Sequence, residues 1–333
     1  MKILVTGVTG FIGRKLVSEL LSADHDVTAL VRESSNLQEL PETLHLVYGD
    51  LLDSESLKAA VTGQEVVIHL AAYFDFYPSD VKLLYRVNVE GTQHLLDACS
   101  NASVKRFIYI STTEVIGPVE HPPGNEETEL RPQFHYSKSK VEAEERVRET
   151  SSKSGFEYVI LRPTGIMGEG DLYTAYEAIV AVNEKQIPIL PGDGKKHIMY
   201  THLNDVVCGI LAAVSAKSAA NQTIILCVDE PLTWNELFEY FGEMLGVKPP
   251  HRKIPTFLAK LGIGLLSPYK NRKGTTFLWH MKTVQAMDED RWYSNATAKR
   301  LLNWSPKFTM REGIARAINW YYKEGYLEDK RQG

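Results

Sequence analysis

Short apolar runs and stretches of helical spacing alternate along the first half of the chain. Ile3, Leu4 and Val5 form an apolar run of the length expected for a buried strand. Behind it Leu16, Leu20 and Leu21 recur at helical spacing. The same rhythm returns at residues 26–31, 44–48, 65–70, 105–111 and 159–161, each read as a strand. Helices are expected between them, among them residues 56–61, with Asp53 or Ser54 as N-cap, and residues 136–151. Strands alternating with helices predict an α/β fold with a doubly wound parallel sheet. Residues 1–166 form a first domain to which 198–216 return. Residues 167–197 and 217–333 form a smaller α+β lobe, with helices over 172–182 and 310–323. Asp205 reads as a helix N-cap or a structural anchor.

Between the first strand and the first helix lies Gly7-x-x-Gly10-x-x-Gly13. Strand, glycine turn and helix together are the recipe for binding a dinucleotide. Gly7 permits a tight turn, Gly10 lets the backbone approach a pyrophosphate, and Gly13 allows close helix–strand packing. The helix N-terminus aims unpaired N–H groups at the phosphates. Gly7, Thr9, Gly10, Phe11, Ile12 and Gly13 are the candidate cofactor-binding turn.

The second strand ends at Arg32, where an NAD site would carry an acid for the ribose hydroxyl. A guanidinium there suits a 2′-phosphate and favours NADP. Glu33 leaves NAD possible, and a solvated Arg–Glu pair is the plain alternative. At the end of the third strand, Asp50 can accept from an adenine amino group while Leu51 covers the ring. The fourth strand runs into Ala71 and Ala72, small enough to let a cofactor approach, and then into an aromatic stretch at 73–85. That stretch reads either as a substrate-pocket wall or as a packing loop.

Chemistry gathers after the fifth strand. Ser111, Thr112 and Thr113 sit at its end, and Tyr136 and Lys140 open a helix four residues apart on one face. A close ammonium favours the phenolate and draws the tyrosine pKa from about 10 toward neutrality. Tyr136 is then a general acid or base at a carbinol oxygen held by Thr112 or Ser111. The same Tyr-x-x-x-Lys spacing occurs at Tyr269/Lys273 and Tyr326/Lys330, so only the context selects Tyr136.

Bulk composition narrows the field. A net charge of −5 gives no electrostatic case for nucleic acid. No apolar run is long enough to span a bilayer, and no signal-peptide pattern precedes the first strand. Cys99, Cys208 and Cys227 show no metal-ligand spacing and suit a reducing cytoplasm.

TGVTGFIG, the HxAA of residues 69–72, STTEVIG, YSKSK and RPTGIMGEGD together resemble the extended short-chain dehydrogenase/reductases, the NAD-dependent epimerase/dehydratase family. The resemblance covers nearly the whole chain. It implies that Thr112 is the catalytic hydroxyl, that Asn88 positions Lys140, and that Lys140 grips the nicotinamide ribose. Ser111 becomes a neighbour in the pocket, and Pro163, Thr164, Gly165 and Ile166 lie beside the nicotinamide. It also implies a homodimer through residues 81–100 and 136–151. Nucleotide-sugar members carry an Arg where this chain has Ile198, although Lys195, Lys196 and His197 are near. Arg32 and the aromatic loop resemble instead the dihydroflavonol-reductase and 3β-hydroxysteroid-dehydrogenase-like members.

The leading expectation is therefore a cytoplasmic NADP-preferring oxidoreductase of a small apolar or aromatic alcohol or ketone. A nucleotide-sugar epimerase or dehydratase with tightly held NAD is one alternative, and a non-catalytic dinucleotide sensor is the other. Residues 254–268 read as a short amphipathic helix, either covering the pocket or touching a membrane surface, the covering role being favoured because the segment is brief and sits within the substrate lobe.

Overall fold

The computed structural model describes residues 1–187, 189–270 and 280–328. Seven strands form one parallel sheet: β1 (Lys2–Thr6), β2 (Asp26–Val31), β3 (His45–Tyr48), β4 (Val66–His69), β5 (Arg106–Ile110), β6 (Glu157–Pro163) and β7 (Gln222–Leu226). Their spatial order is β7-β6-β5-β4-β1-β2-β3. The inner strands are apolar on both faces because helices cover both, and β1, β4 and β5 are buried almost end to end.

The helices are α1 (Phe11–Ser22), α2 (Ser54–Val61), α3 (Val81–Tyr85), α4 (Gly91–Ser100), α5 (His135–Ser154), α6 (Tyr176–Asn183), α7 (Leu203–Ser215), α8 (Trp234–Leu245), α9 (Thr256–Lys270), α10 (Met281–Ala286), α11 (Ala296–Leu302) and α12 (Met310–Lys323). One face of the sheet is packed by α1 and α7 through Leu16, Leu20, Val206 and Ile210. The other is packed by α2, α4 and α5 through Leu57, Leu95, Ala143 and Val147. A separate core in the second lobe gathers Ile179, Phe238, Phe241, Ile314 and Tyr321 from α6, α8 and α12.

Several boundaries differ from the sequence reading. Residues 222–226 belong to the nucleotide half, because Gln222–Leu226 pairs in register with Val159–Pro163 as the sheet's outer strand. The return therefore ends at Leu226, not at 216. Helix α6 starts four residues late because the Asp171 carboxylate takes the N–H groups of Tyr173, Thr174 and Ala175 first. Asp205 is an anchor: it accepts the N–H groups of Lys307 and Phe308 at 2.9 and 3.0 Å, while His202 caps α7. Helix α8, with a Thr233–Glu236 capping box, is absent from the sequence reading. Asp53 caps α2 as expected.

Candidate active site

Parallel strands put all their C-terminal ends on one edge, so the candidate residues that follow them converge. The glycine turn leaves β1, Arg32 leaves β2, Asp50 and Leu51 leave β3, Ala71 and Ala72 leave β4, Ser111 and Thr112 leave β5, and Pro163 ends β6. The order reverses between β1 and β4, and a crevice at such a switch point is where open α/β sheets bind ligands.

Each glycine of the turn has its own constraint. Gly7 has φ +78°, and a Cβ there would stand 2.7 Å from the Ala71 nitrogen. At Gly13 a Cβ would stand 2.2 Å from the Gly7 carbonyl oxygen, so only glycine lets α1 close onto β1. Gly10 is roomier, with the Gly7 oxygen at 3.3 Å, and no side chain caps the helix it opens. An uncapped helix start behind an open glycine fits a pyrophosphate. Thr9 offers its carbonyl to Arg14 Nε at 2.9 Å.

Around the turn, Arg32 is exposed, and among the described residues its guanidinium has no ion pair or hydrogen bond; its backbone N–H and carbonyl are both taken by Ser35. The plain Arg–Glu pair of the sequence reading is thus not formed. Asp50 closes its own loop by accepting from Leu52 N–H at 2.9 Å. Leu51 is buried under Gly91, where a Cβ would collide with it at 2.9 Å. Gly165 and Ile166 lie in a short strand paired with Tyr200–His202, and Gly165 leaves room for the Tyr200 ring.

The catalytic candidates follow β5 and open α5. Thr112 caps a short 3-10 turn, its Oγ1 accepting Glu114 N–H at 3.2 Å, which leaves its proton to donate. Ser111 is buried, 4% exposed, beside Glu144. Lys140 is buried too, donates to the Ile110 carbonyl at 2.6 Å, and rests 4.0 Å over the Tyr109 ring. Burial lowers its pKa to about 7, against the opposing pull of Glu144 one turn along α5.

The phenol of Tyr136 departs from expectation. Phe74 and Phe76 pack edge-on against its ring at 4.9 and 5.9 Å between centroids. Burial, with the Glu114 carboxylate second, raises its pKa above the ordinary value instead of drawing it toward neutrality. Both causes disfavour the phenolate, desolvation by removing water and Glu114 by like charge. The aromatic stretch at 73–77 is thus packed around Tyr136 and Phe134, as the packing-loop reading expects.

Asn88 lies in a π turn (Arg86–Glu90) between α3 and α4, a deviation common at functional sites. Its amide nitrogen donates to Ser139 Oγ at 3.0 Å and to the Tyr73 carbonyl, and its oxygen accepts Tyr73 N–H at 2.7 Å. Ser139 in turn donates to the Tyr136 carbonyl. Asn88 thus holds the start of α5 and the aromatic loop together.

Two features escaped sequence reasoning. His69 is buried and held neutral, with burial lowering its pKa to about 3. Thr92 spends its proton on the Asn88 carbonyl, so the neutral His69 donates from Nε2 to Thr92 at 3.0 Å and accepts at Nδ1 from the Thr6 hydroxyl at 2.7 Å, while Thr6 Oγ1 accepts Ala71 N–H. This chain ties the cofactor edge to the π turn, and its only sequence trace is the histidine of HxAA. The second is the link between lobes: Arg291 is buried, with Nε on Glu114 at 3.2 Å and Nη2 on Gln133 at 2.8 Å.

The profile of the NAD dependent epimerase/dehydratase family matches residues 3–227, and the chain belongs to that family, the extended short-chain dehydrogenase/reductases. Over 99% of the chain it is 29% identical to a 3beta-hydroxysteroid-dehydrogenase/decarboxylase isoform 2 of Arabidopsis thaliana, and it spans 64% of that protein's length. It is also 29% identical to a 3-beta-hydroxysteroid dehydrogenase of Mycolicibacterium neoaurum, covering 96% of this chain and 91% of that one. A putative dihydroflavonol 4-reductase of Synechocystis sp. is 28% identical, covering 97% and 95%. Among solved structures, a short-chain dehydrogenase/reductase superfamily protein from Agrobacterium tumefaciens with bound NAD superposes with a TM-score of 0.74 at 25% identity, covering all of both chains.

Proposed function

We propose that the chain is an NADP-preferring oxidoreductase that interconverts a hydroxyl and a ketone on a small apolar or aromatic substrate. The observation that carries this reading is the grouping of Thr112, Tyr136 and Lys140 at the edge that holds the glycine turn, under an aromatic wall. When bound, the nicotinamide supplies or accepts the hydride. Gly7, Gly10 and Gly13 admit the pyrophosphate, and Arg32 receives the 2′-phosphate. Thr112 donates to the carbinol oxygen, and Tyr136 moves the proton at that oxygen. Lys140 holds the nicotinamide ribose and supports the phenolate, and Asn88 holds the helix that carries both. The relatives named as hydroxysteroid dehydrogenases and dihydroflavonol reductase support this substrate class.

The nucleotide-sugar alternative finds little charge to hold a diphosphate. Ile198 is buried, and Lys196 and His197 are each bound to Asp290 at 2.8 Å. An epimerase would retain its cofactor through the cycle, so release of free NADPH on adding an alcohol separates the readings. The deciding variant is Tyr136→Phe. Turnover should fall by at least about a hundredfold with dinucleotide binding intact, and undiminished turnover would sink the assignment. An intact set of three reactive side chains also speaks against a mere sensor.

We place the protein in the cytoplasm as a homodimer packed through α4 and α5. The outward residues there are polar, including Gln93, Asp97, Arg146 and Glu149, so that association should weaken with salt. A monomeric scattering mass at low ionic strength would contradict it.

A further inference from the structure

The segment between Met244 and Met287 contains eight Lys and Arg and no Asp or Glu, in a chain whose net charge is −5. Two described surfaces within it stand side by side in sequence. The first is a groove of about 230 Å³ lined by Lys185, Lys248, His251 and Arg252 together with Ile187. Among the described residues none of those cations pairs with a carboxylate. The second begins five residues after Arg252, on α9. One side of that helix is fastened to the lobe: Thr256 Oγ1 donates to Asp288 at 2.8 Å and Lys260 to Gln285 at 3.2 Å. The opposite side carries Phe257, Leu258, Leu261 and Leu265, exposed by 69, 43, 60 and 76%. Phe257, Leu261 and Leu265 follow at i, i+4 and i+8, so they make one stripe.

We infer that α9 and the cationic groove form a docking surface for an anionic phospholipid bilayer. An apolar stripe beside a cluster of unpaired cations is what an interfacial helix presents to headgroups and acyl chains. Charge complementarity selects this occupant over a second copy of the chain, because the cations of one copy would face those of another. No helix among the described residues is long and apolar enough to cross a membrane, so the contact is peripheral. The surface also adjoins the candidate active site. α9 lies on α10, whose Thr283 hydrogen-bonds the Tyr77 hydroxyl at 3.1 Å, while His280 stacks on the Tyr77 ring at 3.6 Å. Tyr77 belongs to the aromatic loop beside Tyr136. This rests on the proposed substrate class in one respect: the bilayer becomes the source of the apolar substrate.

The test is flotation of the full chain, without cofactor or substrate, on vesicles of phosphatidylcholine alone and of phosphatidylcholine with phosphatidylglycerol. Its result is thus independent of turnover. Recovery should be strong on the anionic vesicles only. It should fall about tenfold or more in Leu261→Ser/Leu265→Ser and in Lys248→Glu/Arg252→Glu, two exposed pairs whose unfolding midpoints should stay at the wild-type value. Equal recovery on both vesicle types, or no loss in either variant, overturns the proposal. A halved solution mass in the leucine variant with recovery unchanged assigns the stripe to a second copy and overturns it too.

Discussion

Arg162 donates Nε and Nη2 to the two oxygens of Glu144 at 2.9 and 2.6 Å, with both side chains sealed from water. Arg148 adds a third N–H at 2.7 Å. This ion pair joins β6 to α5 one turn beyond Lys140, beneath the site. Arg162 holds the Glu144 carboxyl below its usual range despite burial. Removing one charge strands the other, at a cost of about 3–5 kcal/mol, whereas replacing both with apolar residues is far milder. Glu144→Gln should lower the unfolding free energy by that order in urea titration. The double variant Glu144→Leu/Arg162→Met should recover most of the loss. A single variant as stable as wild type would show the pair to be dispensable.

Lys140 makes stability depend on pH in the direction opposite to a salt-bridged lysine. Its pKa is about 7 in the folded chain against 10.5 in the unfolded one, because burial penalises the ammonium. Between those values the unfolded chain holds a proton that the folded chain has released. Stability attributable to this group therefore rises with pH through that window, and it is lowest below about pH 7, where the buried charge is retained. Lys140→Met should be more stable than wild type near pH 6, with the gap closing toward pH 10, read from urea midpoints across the series. Turnover should be lost throughout. A gap that does not change with pH would refute the burial argument.

How much of this was legible in the residues depends on how local each cause is. The glycine turn, the Asp53 cap and the Tyr136–Lys140 spacing are written within a few neighbours, and the structure reproduces all three. The parallel sheet was legible for the same reason, since its strands are buried on both faces and read as unbroken apolar runs. The seventh strand was not: Gln222–Leu226 finds its partner in Val159–Pro163, across the first excursion into the second lobe and the return through α7. Glu114 and Arg291 are further apart still, separated by 177 positions along the chain. The ionisation of Tyr136 was misjudged because its ring is covered by Phe74 and Phe76, which spacing along α5 does not reveal.

The proposed preference for NADP rests on Arg32. Its exposed guanidinium is uncommitted among the described residues, so it is available to a phosphate without breaking another contact. A charge-assisted hydrogen bond is worth about 1.5–3 kcal/mol, or roughly ten- to a hundredfold in preference. Arg32→Ala should reduce the ratio of kcat/KM for NADPH over NADH by that factor, mainly through KM for NADPH. An unchanged ratio would return the position to an ordinary surface arginine.

Gly10 and Gly13 should respond differently to the same methyl group. At Gly13 a Cβ would lie 2.2 Å from the Gly7 oxygen and 2.6 Å from the Val8 Cα, both backbone atoms that cannot swing aside. Gly13→Ala must push α1 away from β1, an overpacking cost of about 1–3 kcal/mol. At Gly10 the one close atom is the Gly7 oxygen at 3.3 Å, which a small shift relieves. The new methyl would then stand at the helix start, where a pyrophosphate has to approach the backbone. Gly10→Ala should unfold close to the wild-type midpoint yet bind NADPH at least about tenfold more weakly by fluorescence titration. Gly13→Ala should lose stability first and binding as a consequence. Equal stability losses in the two variants would mean that the turn is packed as one unit, and that Gly10 has no separate role at the phosphates.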